Sequence, residues 1–385
     1  MRVTVHRKSL EQRLTAIKPA VATRDFKPIL KGVKLITAGE ELAINATNLE
    51  VGVSTTVGTI GSSDPGECVV NYKKLLAAVK SCSDELVGLE FRDDLLRVYG
   101  DSASSSPPTD KADEYPNIPV FPDTKSKTHT ANYFVVGASQ FRTQLSKVEF
   151  AAAKESTKFA MTGVYCEFNG AVQCVATDSK RLSLISGKVE KVGEPKDVNI
   201  LIPNQCVDLI LNLTKAPMGD VHVAAPEEER ERVIGEKKEK YKEVTCAWFR
   251  LNNALIFTRL VEGRFPPYRE VFHKKTKVTA TLPRKQFIAA LKQAKTGADD
   301  ETMRVIFEFD GEWLKLTGKS PTNGVAESRC PAKCSEPLTI NMDPGYVLDA
   351  LATGECGEAH MEFVDPSRPV LMIEGSAKHL IMPLA

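Results

Sequence analysis

One arrangement recurs three times along the 385-residue chain, and it restricts the fold more than any isolated motif does. Each copy has an alternating segment, an amphipathic stretch, a Gly-Val-x-Leu-like strand, and a second strand that ends in Ala-Thr-Asn or Ala-Thr-Asp. The first copy runs from Val3 to Val57, with Leu10 and Leu14 on the helix, then Gly32-Val33-Lys34-Leu35 and Ala46-Thr47-Asn48. The second has Phe141 and Leu145, Gly163-Val164-Tyr165-Cys166, and Ala176-Thr177-Asp178. In the third, Phe287 and Leu291 precede Arg304-Val305-Ile306-Phe307, and Leu316-Thr317-Gly318 replaces the usual end. The copies are offset by about 130 and about 140 residues, the length of a domain rather than of a solenoid unit. Three like domains are expected, spanning 1–127, 128–256 and 257–385.

Each domain is doubled internally. Cys68-Val69-Val70 leads into a helix over 72–82, Asn199-Ile200-Leu201-Ile202 into one over 204–215, and Leu338-Thr339-Ile340 into one over 343–352. Apolar residues on these helices recur at spacings of three and four, as in Leu76 and Val79 or Val207 and Leu211, so each buries one stripe. Strands such as His360-Met361-Glu362-Phe363-Val364 alternate, which leaves one sheet face wet. The predicted class is α+β: three similar domains, each with two helices packed on antiparallel sheet.

With 42% hydrophobic and 26% charged residues the chain can bury several cores. It has no run of 18 apolar residues, and Met1-Arg2-Val3-Thr4-Val5 reads as a strand rather than a signal peptide. Nine dispersed cysteines fit reduced thiols and a cytoplasmic location. The Ser- and Pro-rich stretch 101–111 reads as an edge or linker. The charged stretch Pro226 to Glu243 reads as a solvated hairpin tip or helix.

Charge distribution is where function first enters. The whole chain is only +1, yet the six helical stretches are together strongly basic, and the remainder must be net acidic. If helices form an inner layer and sheets an outer one, the inner face would attract a polyanion that the outer face repels.

Lys27-Pro28-Ile29-Leu30, Ala46-Thr47-Asn48-Leu49-Glu50, Ala176-Thr177-Asp178-Ser179-Lys180-Arg181-Leu182, Glu262-Gly263-Arg264-Phe265-Pro266-Pro267-Tyr268-Arg269 and Leu380-Ile381-Met382-Pro383-Leu384 carry a family resemblance. Over its whole length the chain resembles the bacterial sliding clamps, the beta subunits of DNA polymerase III. The resemblance implies a head-to-tail homodimer in which each chain forms half of a closed ring, helices inside and sheets outside, threaded by duplex DNA. It also implies a cytoplasmic, non-catalytic processivity factor without cofactor. A sliding ring needs phosphate attraction without base readout, which flexible basic side chains supply. The candidates for DNA contact are Lys80, Arg142, Lys147, Lys292 and Lys295 on helices, with Arg24 and the Lys154, Lys158 and Phe159 segment on loops.

The resemblance further implies a pocket for short peptide motifs of the replicative polymerase, the clamp loader, repair polymerases and mismatch repair proteins. Its positions match Met161, Thr177, Ser179, Lys180, Arg181, Leu182, Pro266, Val271, Leu380, Met382 and Leu384. The apolar members would line a cleft, the methionines lending adaptability, and Arg181 would hold the partner backbone or an acidic group. Two features depart from the family. Ser179 and Lys180 stand where relatives often have Gly and His. The strand expected to close the ring, 100–106, has no large side chain, and the surface near Thr296 and Gly297 that would meet it is also short of bulk, so a weaker dimer is expected.

Enzyme readings find little support. Gly318-Lys319-Ser320 has Trp313 where a phosphate loop needs its first glycine, and no Gly-x-Ser-x-Gly, His-Glu-x-x-His or Cys-x-x-Cys occurs. Cys330, Cys334, Cys356 and His360 have spacings that permit zinc, but they fall in or beside expected strands, so no metal is expected. The open alternative is a clamp-like peptide-binding scaffold that does not encircle DNA.

Overall fold

The computed structural model describes residues 1–24, 27–122, 131–155, 160–192, 195–215, 219–234, 237–272 and 275–384. Among these are α1 (Arg7–Ile17), α2 (Tyr72–Ser81), α3 (Ala138–Ser146), α4 (Asn204–Leu213), α5 (Arg284–Lys295) and α6 (Pro344–Ala352). Each begins at the residue after a strand ends or one residue later, as where Arg2–His6 runs into α1 and Leu338–Met342 precedes α6. The repeated alternating segment is thus a strand that delivers the chain into a helix without a loop. Side-chain caps supply the missing start signal in two cases. The Asn71 side chain accepts from the Lys74 amide at 3.2 Å, and the Asp343 side chain from the Gly345 amide at 2.7 Å. Such a cap stabilises a helix by about 1 kcal/mol.

Compact packing groups the chain into two units. The first comprises residues 1–142, 168–170 and 188–262, and the second 143–167, 171–187 and 263–385. Strand pairing between neighbouring repeats accounts for this grouping. In the first unit a 10-stranded antiparallel sheet joins the first two repeats, because Val51–Gly58 pairs with Ala254–Arg259. In the second unit, Arg181–Lys188 pairs with Ala377–Ile381, which joins the second repeat to the third. Each unit also carries a 4-stranded sheet, ordered Arg2–His6, Leu86–Arg92, Leu95–Tyr99, Ser104–Ser105 in the first and Gly324–Pro331, Trp313–Ser320, Val305–Phe309, Leu338–Met342 in the second.

The helical stripes lie where the spacing places them, with one adjustment. Leu10, Leu14 and Ile17 of α1, Val207 of α4, and Phe287 and Leu291 of α5 are buried. On α2 the stripe centres on Leu75 and Val79, with Leu76 at its margin. The charged stretch folds as a separate ribbon, Glu228–Ile234 against Lys237–Glu243. Opposite charges face each other across it at Glu229 and Lys242 and at Glu231 and Lys240, which stabilises a pair of strands that has little apolar surface to bury.

One core group should leave a mark on stability. Glu374 is 1% exposed, neither carboxylate oxygen has a hydrogen-bond partner among the described residues, and Arg284 Nη1 lies 3.6 Å away. Arg284 is itself directed to the carbonyls of Leu351 and Cys356. Burial pushes the Glu374 carboxyl up to about 7, against the opposing charges of Arg284 and Lys147. The folded chain then keeps a proton that the unfolded chain releases near 4.5, so stability falls as pH rises between these values. Glu374→Gln is expected to flatten that fall, as read from urea midpoints at successive pH values. An unchanged slope would show that Glu374 does not titrate in this window.

Candidate peptide cleft and basic surfaces

The Ala-Thr-Asn and Ala-Thr-Asp ends are turn devices. In the first, the Leu49 amide donates to Thr47 Oγ1 at 3.0 Å, Thr47 Oγ1 donates to the Val51 carbonyl at 3.0 Å, and Asn48 Oδ1 accepts from the amides of Glu50 and Val51. The second repeats the same bonds. The Ser179 amide donates to Thr177 Oγ1 at 3.2 Å, Thr177 Oγ1 to the Arg181 carbonyl at 2.6 Å, and Asp178 Oδ1 accepts from Lys180 and Arg181. Leu49 and Ser179 both have φ of 76°, a left-handed conformation that favours glycine. At Ser179 the turn therefore imposes a backbone conformation that glycine would adopt more readily than serine.

The second turn delivers Ser179, Lys180, Arg181 and Leu182 to one wall of a cleft of about 490 Å³. Met161, Thr177, Pro266, Val271, Leu380 and Met382, also expected from the sequence, line it with them, and Pro267, Tyr268, Glu270 and Pro369 join them. Met161, Leu182 and Leu380 form a buried floor, whereas Val271 and Met382 are 42% and 43% exposed at the rim. Covering such a rim is what an apolar ligand side chain would gain from docking.

Pro266 and Pro267 are positioned by the residues around them. Gly263 turns the chain at φ of 116°, where a Cβ would meet that of Ala160 at 3.2 Å. Phe265 then stacks on Tyr165 with centroids 4.6 Å apart. The Tyr268 hydroxyl lies 3.0 Å from a Glu167 carboxylate oxygen and 2.9 Å from the Gln173 amide oxygen, so its one hydrogen is shared between them, while Arg269 pairs with the same Glu167. Burial first, and then the Glu167 charge, raises the Tyr268 phenol, which keeps it a neutral donor. Pro267 and Tyr268 belong to the same Glu262 to Arg269 segment as Pro266, which is the sequence signal for their place in the cleft. Pro369 precedes Val370–Glu374 with no local signal of its role.

Two expectations need correction. Leu384 does not line the cleft: it is half-buried, and its amide donates to the Asn341 carbonyl at 2.9 Å. Alternation carries Met382 to the rim, and its amide donates to the Lys180 carbonyl at 2.9 Å, so the tail beyond it secures rather than forms the wall. Arg181 contributes to the wall, but its guanidinium is already occupied. It donates to Asp178 at 3.0 Å and to Asp349 at 2.6 Å, and lies over the Tyr346 ring at 4.5 Å. Its charged end therefore braces the strand against α6 rather than waiting for a partner. Arg181→Ala would strand two carboxylates, and the expected result is a loss of about 1–3 kcal/mol in stability with less than a tenfold change in peptide affinity. Denaturant unfolding and calorimetry on one preparation check both values.

The basic candidates are more dispersed. Lys80 lies on α2 with Nζ 4.0 Å from Glu11, and Arg142 on α3 is half-buried with its guanidinium donating to the Leu211 carbonyl in the last turn of α4. Lys147 is largely buried, 3.5 Å from Glu355. Arg24, Lys154 and Lys292 are exposed and Lys295 is half-buried. Lys158 and Phe159 lie outside the described residues. A group of basic residues not singled out from the sequence appears in the first unit, where Lys8, Arg13 and Lys215 border a cleft of about 630 Å³ with Glu11, Asn212, Asn252 and Asn253. Burial lowers the Arg13 pKa. The signal was present as lysine and arginine on the α1 and α4 stretches, but it becomes a site only when those helices pack together. Among the described residues no group of His, Cys, Asp and Glu could hold a metal ion, and no helix is long and apolar enough to cross a membrane.

Three consecutive segments match family models of the DNA polymerase III beta subunit: the N-terminal domain over 1–119, the central domain over 136–267 and the C-terminal domain over 269–385. Relatives include the beta sliding clamps of Pseudomonas aeruginosa, 22% identical over 100% of both chains, and of Chlamydia pneumoniae, 25% identical over 100% of this chain and 99% of the relative. Among solved structures, the beta subunit of Thermotoga maritima aligns with a TM-score of 0.84 at 25% identity, covering 100% of this chain and 99% of its own. The Helicobacter pylori beta clamp bound to a DNA ligase peptide aligns with a TM-score of 0.81 at 20% identity over 100% of both chains. Three family domains in order, the antiparallel sheets with paired helices, and full-length similarity together establish that this chain belongs to the DNA polymerase III beta subunit family.

Proposed function

We propose that this protein is a DNA sliding clamp and processivity factor, with three domains divided near 1–127, 128–256 and 257–385 and two chains closing a cytoplasmic ring around duplex DNA. Its work is topological, without chemistry of its own. The observation that carries the reading is the cleft in the second unit. Residues from five separate chain segments converge there on a buried apolar floor with an exposed rim, as a site for short linear peptides requires. Replicative and repair polymerases, the clamp loader and mismatch repair proteins would dock by such motifs, as the DNA ligase peptide does on the Helicobacter pylori clamp. Basic side chains on α1, α2 and α5, with Arg24 and Lys154 on loops, would hold DNA by phosphate attraction that tolerates sliding.

Ring closure would use strand edges. Ser104–Ser105 and Gly324–Pro331 each end a 4-stranded sheet, and each offers unpaired backbone groups to another chain. Small side chains at Ser104 and Ser105 contribute little apolar area, so self-association is expected to be concentration-dependent. Sedimentation across a wide dilution series checks this, and an undiminished dimer at the lowest concentration would place the interface elsewhere. The reading as a whole is tested by binding of a synthetic peptide carrying Gln, Leu and Phe, with a control in which Leu and Phe are alanine. Equal affinity for the two would exclude the cleft as a motif reader.

A further inference from the structure

The strand pair that floors the cleft has a second face. Arg181–Lys188 and Ala377–Ile381 are antiparallel, with Leu182 opposite Leu380 and, one step on, Ser183 opposite His379. Neighbouring residues of a strand point to opposite faces, so the Leu182 and Leu380 pair faces the cleft while Ser183 and His379 face the helix side. Both polar residues are 1% exposed. His379 Nδ1 lies 2.9 Å from Ser183 Oγ, and Nε2 lies 3.1 Å from Thr353 Oγ1, immediately past the end of α6.

The direction of these bonds follows from the count of hydrogens. Thr353 Oγ1 is 2.8 Å from the Ala350 carbonyl, which can only accept, so the single hydroxyl hydrogen is committed there. The same oxygen must then accept from His379 Nε2–H. In the neutral ring Nδ1 is left without a proton and accepts from Ser183 Oγ–H. Burial, with the Lys147 charge adding to it, pushes the imidazole down to about 4. A one-way chain therefore runs from Ser183 through His379 and Thr353 to the last turn of α6. Arg181, two residues before Ser183, reaches Asp349 of the same helix. The Phe150 ring packs beside the imidazole at a centroid distance of 5.6 Å.

We propose that His379 is a positioning residue for partner peptides: held between Ser183 and Thr353, it locks the strands carrying Leu182 and Leu380 to α6 and thereby sets the shape of the cleft floor from behind. This rests on the cleft being the peptide site, and it adds a residue that no peptide would touch. An apolar pair at these positions would fill space equally well, but the tie from the centre of the strand pair to the end of α6 would be lost, leaving the Arg181 to Asp349 bond at its edge. His379 is thus expected to act on affinity out of proportion to its effect on the fold.

The test uses the full chain and the synthetic Gln, Leu and Phe peptide described above. His379→Phe keeps a buried ring but removes both bonds, and it should weaken the peptide about tenfold by calorimetry while the circular dichroism spectrum is retained. Ser183→Ala alone should weaken it severalfold, and in the His379→Phe background it should change nothing further. His379→Gln, whose amide can still donate to Thr353, should recover part of the loss. In the wild type, nitrogen-15 shifts of the ring should report the Nε2–H tautomer. Folded variants that bind as wild type, additive losses from the two substitutions, or an Nδ1–H tautomer would each overturn the proposal. If His379→Phe does not fold, Ser183→Ala and the ring shifts decide. A wild type that does not bind the peptide would instead overturn the cleft reading itself.

Discussion

Removing residues 382–385 is expected to reduce binding of the Gln, Leu and Phe peptide by two orders of magnitude or so while leaving the fold intact. The last strand, Ala377–Ile381, ends before the cut and keeps its pairing with Arg181–Lys188 and Val370–Glu374. The truncation removes Met382 from the rim and two backbone bonds, from Met382 to Lys180 and from Leu384 to Asn341. It thus takes away an apolar wall and the anchor beyond it, and apolar anchors in desolvated clefts carry a disproportionate share of binding energy. Met382→Ala separates the two contributions. It should weaken the peptide severalfold, and the remaining loss belongs to the tail. A folded truncation that binds as tightly as the full chain would show that peptides dock elsewhere.

Charge reversal on α5 should have the other large effect. Lys292 is exposed, Lys295 half-exposed, and neither has an ion pair among the described residues, so both charges are open to a phosphate backbone. Lys292→Glu together with Lys295→Glu should lower the affinity for duplex DNA at low salt by an order of magnitude or more and make log K less steep against log salt. Leu291 and Ala294 carry the buried face of this helix, so stability should be little changed. Unaltered affinity at low salt would remove α5 from the DNA path. The corresponding reversals at Lys147 and Arg142 are poorer probes, because these side chains already serve Glu355 and the Leu211 carbonyl.

How far the sequence could be read follows from the range of the interactions involved. Helix positions were legible because spacings of three and four are local, and even the margin between Leu75 and Leu76 is a shift of one residue. Grouping of the cleft residues was legible through family motifs, and most of them do converge. What a residue does within the group was harder to read. Arg181, adjacent to Leu182 on a strand, points to the opposite face by the ordinary period of two, and that alternation could have shown that its head would not face a ligand placed against Leu182. Its acceptors, Asp178 and Asp349, are 3 and 168 residues away, and only the nearer could be suspected. The two compact units were not legible at all. They depend on pairings such as Val51–Gly58 with Ala254–Arg259, whose partners lie some 200 residues apart, and the local pattern does not encode which distant edge a strand will meet.

The central claim is topological retention, and it is most directly measured on circular DNA. Protein loaded onto a nicked circle by a clamp loader, and then challenged with salt that screens phosphate contacts, should stay bound until the circle is cut at one site. It should then slide off the ends within the time of the assay. Dissociation at the same rate from the intact circle and the linear product would contradict the account, leaving a peptide-binding scaffold that does not encircle DNA.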